Sequence, residues 1–335
     1  MRLSVLDQSP ANETETSSAA LRNTIHLAQM AEEWGYHRFW VAEHHGSNRL
    51  MSSSPEVLIS HLLAKTSTIK VGSGGVMLQH YSPYKVAENF NVLATLAPGR
   101  VDLGIGGGPG GLPQSTSALQ QGPSANRDSL SQKMVQLGQF LNDNLSPDSN
   151  LYGLQASPLP PNPADIFMLG TTANSAELAA ELGLPYVFAL FLNNDEKVMS
   201  ESLGNYRSKF KSSSDNESQV MLALPVVVAD TEKEAALLAS DIKVVRIELK
   251  DGRSFTVRSE EAAHEFGRQV NEEYIVTVQP PAVLHGSKKT IEQKLNDVSH
   301  HYDVDEFVIV TAIGDFNKRL TSYKLLAEVF NGFNP

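Results

Sequence analysis

Short runs rich in β-branched and aromatic residues alternate with longer amphipathic stretches, and the alternation begins at the first residues. Residues 2–6 read as a strand. In 17–34 the apolar positions Ala20, Ile25, Leu27, Ala28, Met30 and Ala31 fall roughly at helical spacing, and Gly35 stands where a helix stop belongs. A strand at 37–42, a helix at 55–65, a Val- and Gly-rich strand at 69–78 and a helix at 83–96 follow, the last closed by Pro98-Gly99. A fourth strand spans 101–105. The periodicity then lapses in the Gly/Pro/Ser-rich stretch 106–123, a helix is predicted over 126–142, and 144–163 is Pro- and Asn-rich surface loop.

Alternation resumes with strands at 166–169, 186–192 and 220–228, separated by helices at 175–182 and 195–211. A long helix is expected over 231–249, then a charged, helix-like interruption at 254–282. A helix at 287–301, a strand at 306–310 and a helix at 317–330 complete the pattern. Eight strands separated by helices predict parallel pairing through right-handed crossovers. The strands at 186–192 and 220–228 are almost wholly apolar, as strands covered on both faces are. The expected fold class is α/β, a (β/α)8 TIM barrel, with a doubly wound open sheet as the competing architecture.

Length adds a bound on domain number. At ~150 residues per domain, 335 residues suggest two, but a barrel of ~250 residues with insertions is one domain. The expectation is one TIM-barrel domain over 1–335, with insertions near 106–123, 144–165 and 250–285. Lys plus Arg number 27 against 38 Asp plus Glu, a net charge of −11, which disfavours a phosphate backbone as partner. Cysteine is absent, which excludes disulfides, zinc–thiolate sites and a cysteine nucleophile. The N-terminus lacks a signal-peptide core and no run of ~18 apolar residues occurs, so a cytoplasmic protein with no membrane partner is expected.

In a barrel, chemistry belongs at the carboxyl ends of the strands. There the sequence places Glu43-His44-His45 after the second strand and Gly74-Gly75 within the third, which ends near His80. Gly106 and Gly107 follow the fourth, and Gly170 to Ser175 the fifth. Neighbouring residues on a strand face opposite ways, so one imidazole of the pair faces the mouth. That spacing suits a metal poorly and suits one histidine acting as general acid or base; no metal site is expected. The duller alternative is a pair of hydrogen-bonded rim histidines. His45 and His80 are the candidate substrate-facing residues.

Thr171, Thr172 and Ser175 precede a helix and could either bind an anion at its N-terminus or simply cap it. Gly74-Gly75 marks a bulge, a close ligand approach or tight interior packing. Gly106, Gly108 and Gly111 match GxGxxG, but Pro109 and Pro113 interrupt it, which argues against a dinucleotide fingerprint. Either a flat ligand lies against this backbone or it is a flexible loop. His300-His301 reads as solvated surface, and Trp34 and Trp40 as core.

Five segments together resemble a known family: VAEHH at 41–45, VGSGGVML at 71–78, GRVDLGIG at 99–106, NSAELAAELGLP at 174–185 and VDEFVIVTAIGDFNKRLTSYKLLAE at 304–328. The chain resembles the bacterial-luciferase-like, flavin-dependent monooxygenases of the single-subunit type. The resemblance implies a barrel, usually a homodimer, that takes reduced FMN from a separate flavin reductase and uses it with O2 to oxidise a small organic substrate. It implies His44 as catalytic, with Glu43 beside it, and Gly74, Gly75, Gly106 and Gly107 against the flavin. A non-prolyl cis peptide is implied at Gly74-Gly75, and phosphate contacts at Thr171, Thr172 and Ser175. The loop 106–123 and the segment 254–282 are expected covers of the site. One position departs: Gly107 stands where many relatives carry a basic phosphate partner, and Arg127 and Lys133 are the candidate substitutes. Two alternatives accompany this reading. One is a deazaflavin (F420)-dependent hydride-transfer oxidoreductase. The other is a weakly active or inactive flavin-binding paralogue, favoured by Gly107 and disfavoured by His44.

Overall fold

The computed structural model describes residues 1–335 except 121–127, 212–216, 243, 251–253, 258, 271, 280–281, 305 and 334–335. Seven strands, β1 (Arg2–Asp7), β2 (Arg38–Val41), β3 (Lys70–Met77), β4 (Val101–Gly106), β5 (Asp165–Gly170), β6 (Tyr186–Ala189) and β7 (Val220–Val228), each pair in parallel with the next. After β7 come β8 (Val244–Leu249), β9 (Ser254–Val257) and β10 (Tyr274–Gln279), an antiparallel sheet in the order β10-β8-β9. The short β11 (Leu284–Gly286) lies parallel to the last residues of β7. Finally β12 (Glu306–Val310) pairs in parallel with both β7 and β1 and closes an eight-stranded barrel. The open-sheet alternative is excluded by that closure.

The helices are α1 (Ser17–Glu33), α2 (Pro55–Leu63), α3 (Pro83–Leu96), α4 (Pro113–Leu119), α5 (Leu130–Leu141), α6 (Ala173–Glu181), α7 (Glu196–Lys209), α8 (Glu232–Ser240), α9 (Glu260–Gln269), α10 (Lys288–Tyr302) and α11 (Phe316–Phe330). Local chemistry sets their starts. Thr16, Thr172, Asp195, Thr231, Ser287 and Asp315 cap with their side-chain oxygens, and proline opens α2, α3 and α4. None of these helices is long and apolar enough to cross a membrane among the described residues.

Several expected boundaries move. The predicted helix 231–249 is α8, ending at Ser240, followed by β8; in Val244–Leu249 buried and more exposed residues alternate with a period of two, a strand pattern that charged neighbours masked. The helix-like 254–282 is β9, α9 and β10 instead. The irregular stretch 106–123 contains α4, and the helix predicted over 126–142 is α5, its residues 126–127 lying outside the described ones. Trp34 and Trp40 are buried, and His300 and His301 are exposed, as expected.

Two apolar layers hold the barrel. The larger lies between strands and helices and takes the outward residues, such as Val5, Phe39, Val41, Leu103 and Ile309. The smaller fills the interior with Leu6, Trp40, Ala42, Phe167, Leu169, Val187, Met221, Ala223, Val308 and Val310. At the amino ends of the strands the interior is polar. Arg38 Nε donates to Glu306 Oε1 at 2.9 Å and its Nη1 to Asp102 Oδ2 at 2.8 Å, and the same Asp102 oxygen accepts from Trp40 Nε1 at 2.9 Å. Ser4 Oγ completes this plug on Glu306 at 2.7 Å.

Between Gly74 and Val76 the β3–β4 register shifts. A Cβ on Gly74 would meet Leu6 and Trp40 inside the barrel, whereas Val76, two residues on, packs in the outer layer. The bulge therefore inverts the side-chain alternation midway along β3.

Candidate active site

All eight barrel strands run the same way, so their carboxyl ends share one rim. Around that rim the inward-facing positions at the strand ends are small. Ala42 follows β2, Gly106 ends β4 and Ala189 ends β6, with Leu169, Val310 and the half-buried Phe191 between them. Small residues above a layer containing Trp40 and Phe167 leave a shallow apolar floor at the mouth. By strand parity the buried Gln8 stands at its edge and adds a polar group.

The chain segments expected at the site do converge. The β2 ladder continues past Val41: Ala42 N–H donates to Asp7 O at 3.0 Å, His44 N–H to Ser52 O at 2.8 Å and His45 N–H to Gly110 O at 2.8 Å. His45 forms an isolated parallel bridge with Gly111. The glycine-rich loop after β4 thus lies directly beside the histidine pair, and Gly106 is in register with Leu169 of β5. Histidines, paired glycines and the hydroxyl-rich turn form a continuous arc over β2, β3, β4 and β5.

Alternation then separates the members of Glu43-His44-His45. Trp40 and Ala42 face the interior, and His44 continues that parity toward the mouth, with Nε2 buried. Glu43 and His45 take the other side and meet each other. Glu43 is fully buried: Oε1 lies 2.7 Å from His45 Nε2 and accepts from Tyr81 Oη at 2.8 Å, and Oε2 accepts from Met77 N–H at 3.0 Å. Burial, and then the Glu43 charge, push the Tyr81 phenol well above its ordinary range, which keeps it a donor. Burial, and more weakly Glu43, also raise the carboxyl of Glu56. The structure thus pairs Glu43 with His45 and Tyr81, not with His44.

His80 is 9% exposed. Its Nε2 lies 2.8 Å from Pro109 O, which can only accept, so Nε2 carries the proton. Nδ1 then accepts from Gln120 Nε2 at 2.9 Å. Burial lowers its pKa and keeps the ring neutral. Expected to face substrate, His80 has both ring nitrogens engaged by the loop after β4, which it latches to the turn after β3. Lys133, a candidate phosphate partner, directs its ammonium at the carbonyls of Leu78, Gln79 and Tyr81 at 3.3, 3.0 and 2.8 Å. Gly107 is exposed, and a Cβ there would lie 3.0 Å from Leu130 Cδ2. The other candidate, Arg127, lies outside the described residues.

At the far end of the arc, the turn before α6 is a complete capping box. Ser175 N–H donates to Thr172 Oγ1, and Thr172 N–H to Ser175 Oγ, both at 3.3 Å. Ser175 Oγ also donates to Thr172 O at 2.7 Å and lies 3.0 Å from Tyr186 Oη, whose pKa burial raises to about 12. Gly170 is required here, since a Cβ on it would sit on the Ser175 hydroxyl. Thr172 and Ser175 are thus committed to the cap. Half-buried Thr171 and the N–H groups of Ala173 and Asn174, which have no acceptor within the helix, remain to meet an anion.

The peptide between Gly74 and Gly75 is cis, as the resemblance implied. The glycines themselves answer to the barrel wall: a Cβ on Gly75 would lie 2.7 Å from Gly104 O, and one on Gly104 2.2 Å from Ser73 O. Packing alone therefore demands them, and a ligand lying against this stretch would gain a flat surface already present.

The insertion after β7 contacts two of the loops at the carboxyl rim. Leu112 packs with Phe266 and the buried face of β8, and Gln114 N–H donates to Gln269 Oε1 at 3.0 Å. On the other side Thr256 Oγ1 donates to Leu192 O at 3.4 Å. The sheet and α9 thus connect the loop after β4 with the turn after β6, as a cover would. An open surface depression lies at the opposite rim, beside Met1, Glu32 and Asn331, and Glu32 there already accepts backbone N–H groups of Ser67, Thr68 and Ile69. It offers no free carboxylate chemistry.

Two site residues had escaped the sequence. Tyr81 stood next to a predicted residue but belongs to no repeating pattern. Gln8 did carry a signal: Ser4 and Leu6 face inward, and the next position of that parity, just past β1, is polar.

Comparison with known proteins agrees with this architecture. The profile of the family described as luciferase-like monooxygenase matches residues 1–293. An N-acetyl-S-alkylcysteine monooxygenase of Bacillus subtilis (strain 168) is 42% identical over 329 residues, covering 98% of each chain. The crystal structure of apo-MsnO8 superposes with a TM-score of 0.79 at 33% identity, over 100% of this chain and 98% of that one. The oxygenating constituent of 3,6-diketocamphane monooxygenase from Pseudomonas putida, solved with FMN, shares the fold at 16% identity and a TM-score of 0.71, over 98% and 97%.

Proposed function

The chain belongs to the luciferase-like monooxygenase family and is an oxidoreductase acting with O2, and we propose that it uses reduced FMN to oxygenate a small organic substrate at the mouth of the barrel. The observation that supports this reading is the arc itself: His44, the glycines Gly74, Gly75 and Gly106 and the α6 N-terminus follow one another around one rim, where the insertion contacts the loops after β4 and β6. Bound there, reduced FMN would supply two electrons, so that one oxygen atom enters the substrate and the other leaves as water. Thr171 and the N–H groups at the start of α6 hold the phosphate. Gly74, Gly75 and Gly106 present backbone to the ring, and Ala42 and Ala189 leave room for it. His44 Nε2 holds the proton the reaction moves. The insertion and the loop latched by His80 exclude water.

A flavin reductase delivers the reduced cofactor through transient contact. A homodimer is supported by Val57 on α2 and Val92 and Leu96 on α3, apolar side chains 68, 43 and 70% exposed on helices that pack together. The relative at 42% identity is named for N-acetyl-S-alkylcysteines, so such thioethers are the first substrates to try. The test is anaerobic titration of the purified chain with reduced FMN, and in parallel with reduced F420, followed by oxygen uptake with N-acetyl-S-methylcysteine. Saturable binding of reduced FMN and oxygen uptake above the flavin-alone rate are expected. Binding of F420 with none of FMN would overturn the assignment in favour of hydride transfer, and binding without oxygen uptake would favour an inactive paralogue.

A further inference from the structure

We propose that Gln8 is a ligand-recognising residue whose side-chain oxygen accepts a hydrogen bond from an N–H or O–H of the molecule held at the barrel mouth; the assignment rests on the functional reading above. Gln8 is 5% exposed, and its Oε1 is buried with no hydrogen-bond partner. A buried amide oxygen left without a donor is costly and uncommon in a folded chain, and such an atom at the rim where the barrel strands end points to a partner that arrives from outside the fold.

Its direction follows from its neighbours. Ser4 and Leu6 face the interior, the first bonded to Glu306 and the second in the inner apolar layer. Asp7 faces the other way, where its Oδ2 accepts from Thr24 Oγ1 at 2.6 Å and from Ser9 N–H at 3.2 Å. Gln8 therefore returns to the inward face, one step above Leu6. Because Leu6 is in register with Trp40 and Asp7 with Val41, Gln8 falls level with Ala42, a step below His44. Thr24 also donates to Ser9 Oγ at 2.9 Å, so the chain on both sides of Gln8 is anchored to α1 while Gln8 itself is not.

The position also says which part of a ligand it meets. In the closed barrel β1 stands opposite β5, four strands away in either direction. A cofactor whose phosphate sits at α6 reaches Gln8 only with its far, ring end, and a substrate seated over the ring beside His44 reaches it as well. Both carry donors: ring N–H groups on the reduced flavin, an amide N–H on an N-acylated amino acid.

The experiment compares the unaltered protein with Gln8→Met, which keeps length and loses the oxygen. Three quantities are measured: the melting temperature without ligand, the reduced-FMN dissociation constant, and the dissociation constant of N-acetyl-S-methylcysteine in the presence of FMN. An equal or higher melting temperature is expected, because an unpartnered buried oxygen has been removed, together with a roughly 5- to 10-fold weaker affinity for one ligand. Weakening toward FMN alone places the donor on the flavin, and weakening toward the thioether alone places it on the substrate. A lower melting temperature, or unchanged affinity for both, overturns the role of Gln8 and shows a packing residue. Failure of the unaltered protein to bind FMN is a separate result, which overturns the functional reading and this assignment with it.

Discussion

Replacing Glu43 and His44 one at a time by alanine separates two residues that are adjacent in sequence but face opposite ways. Glu43→Ala removes a fully buried carboxylate that accepts from Met77 N–H, Tyr81 Oη and His45. Hydrogen bonds to a charged group contribute about 1.5–3 kcal/mol each, and losses within one cluster do not add in full. The Met77 N–H and the Tyr81 hydroxyl are left to find other acceptors in a half-buried setting. A loss of about 3–5 kcal/mol is reasonable, which for a chain of this size lowers the melting temperature by roughly 4–7 °C. His44→Ala, by contrast, removes a side chain from the mouth, and its backbone bond to Ser52 O survives. Its melting temperature should stay within about 2 °C of the parent, by the same scaling.

Activity should divide the other way. Oxygenation by His44→Ala should fall by roughly 100-fold or more, the scale of a lost general acid–base group, with reduced-FMN affinity nearly intact. Glu43→Ala, assayed well below its melting temperature, should keep most of its turnover per folded molecule. The assays are a thermal melt followed by near-UV circular dichroism, and oxygen uptake with saturating reduced FMN. If Glu43→Ala melts with the parent yet loses turnover as His44→Ala does, the assignment of faces along the β2 extension is wrong.

Thr171 and Thr172 should also part company. Thr172→Ala loses a helix cap worth about 1 kcal/mol and should melt about 1–2 °C lower, whereas Thr171→Val should leave the melt unchanged and raise the FMN dissociation constant about five-fold; equal behaviour of the two variants would refute the division. His80 is held neutral in the fold by burial, with its pKa lowered. The unfolded chain takes up that proton near pH 6.5 while the native chain does not, so this contribution is complete above about 6.5 and is lost as pH falls toward the lowered native value. Calorimetry at pH 7.5 and 5.5 should therefore show a smaller pH-dependent drop in His80→Gln than in the parent, and an equal drop would remove His80 as a contributor. For the homodimer, joint replacement of Val57 and Leu96 by glutamate should convert the chain to a monomer by light scattering; an unchanged mass would move the interface elsewhere.

The barrel was legible because its period was legible. Strands such as Val220–Val228 are apolar on both faces, and helices such as α1 carry their apolar residues at regular spacing between a Thr16 cap and Gly35. The insertion was not, and the reason is physical. A small three-stranded sheet buries only one face, against α9, so its strands are half polar, and Val244–Leu249 carries Arg246 and Glu248 on the open side. Within the site, the neighbourhood was readable but the partnerships were not. The resemblance set Glu43 beside His44, while the pleat of an extended chain sets residue i against i+2 and brings Glu43 to His45. Likewise the hydroxyls of Thr172 and Ser175 fit both a phosphate and a cap, and only geometry shows that they bond each other.

The two ends of the barrel interior show why the chemistry is confined to one of them. At the amino ends Arg38 lies among Asp102, Glu306 and the face of Phe167, 4.7 Å from its ring, so each buried charge there has an opposite charge beside it, although Asp102 Oδ1 and Glu306 Oε2 accept no hydrogen bond. Burial opposes the Arg38 charge, but Asp102 and Glu306 more than offset it, and its pKa is raised. Breaking one partner of such a pair costs about 3–5 kcal/mol, so that end is held closed and offers no spare donor to a ligand. At the carboxyl ends the inward residues shrink to Ala42, Gly106 and Ala189, and the buried oxygen of Gln8 is left without a mate. The spare oxygens of Asp102 and Glu306 at the amino end lie 3.9 Å from Lys70 Nζ and 3.5 Å from Arg2 Nε, charges that offset the missing hydrogen bonds, whereas Gln8 Oε1 has neither a donor nor an opposite charge and stands at the end where a ligand can reach it.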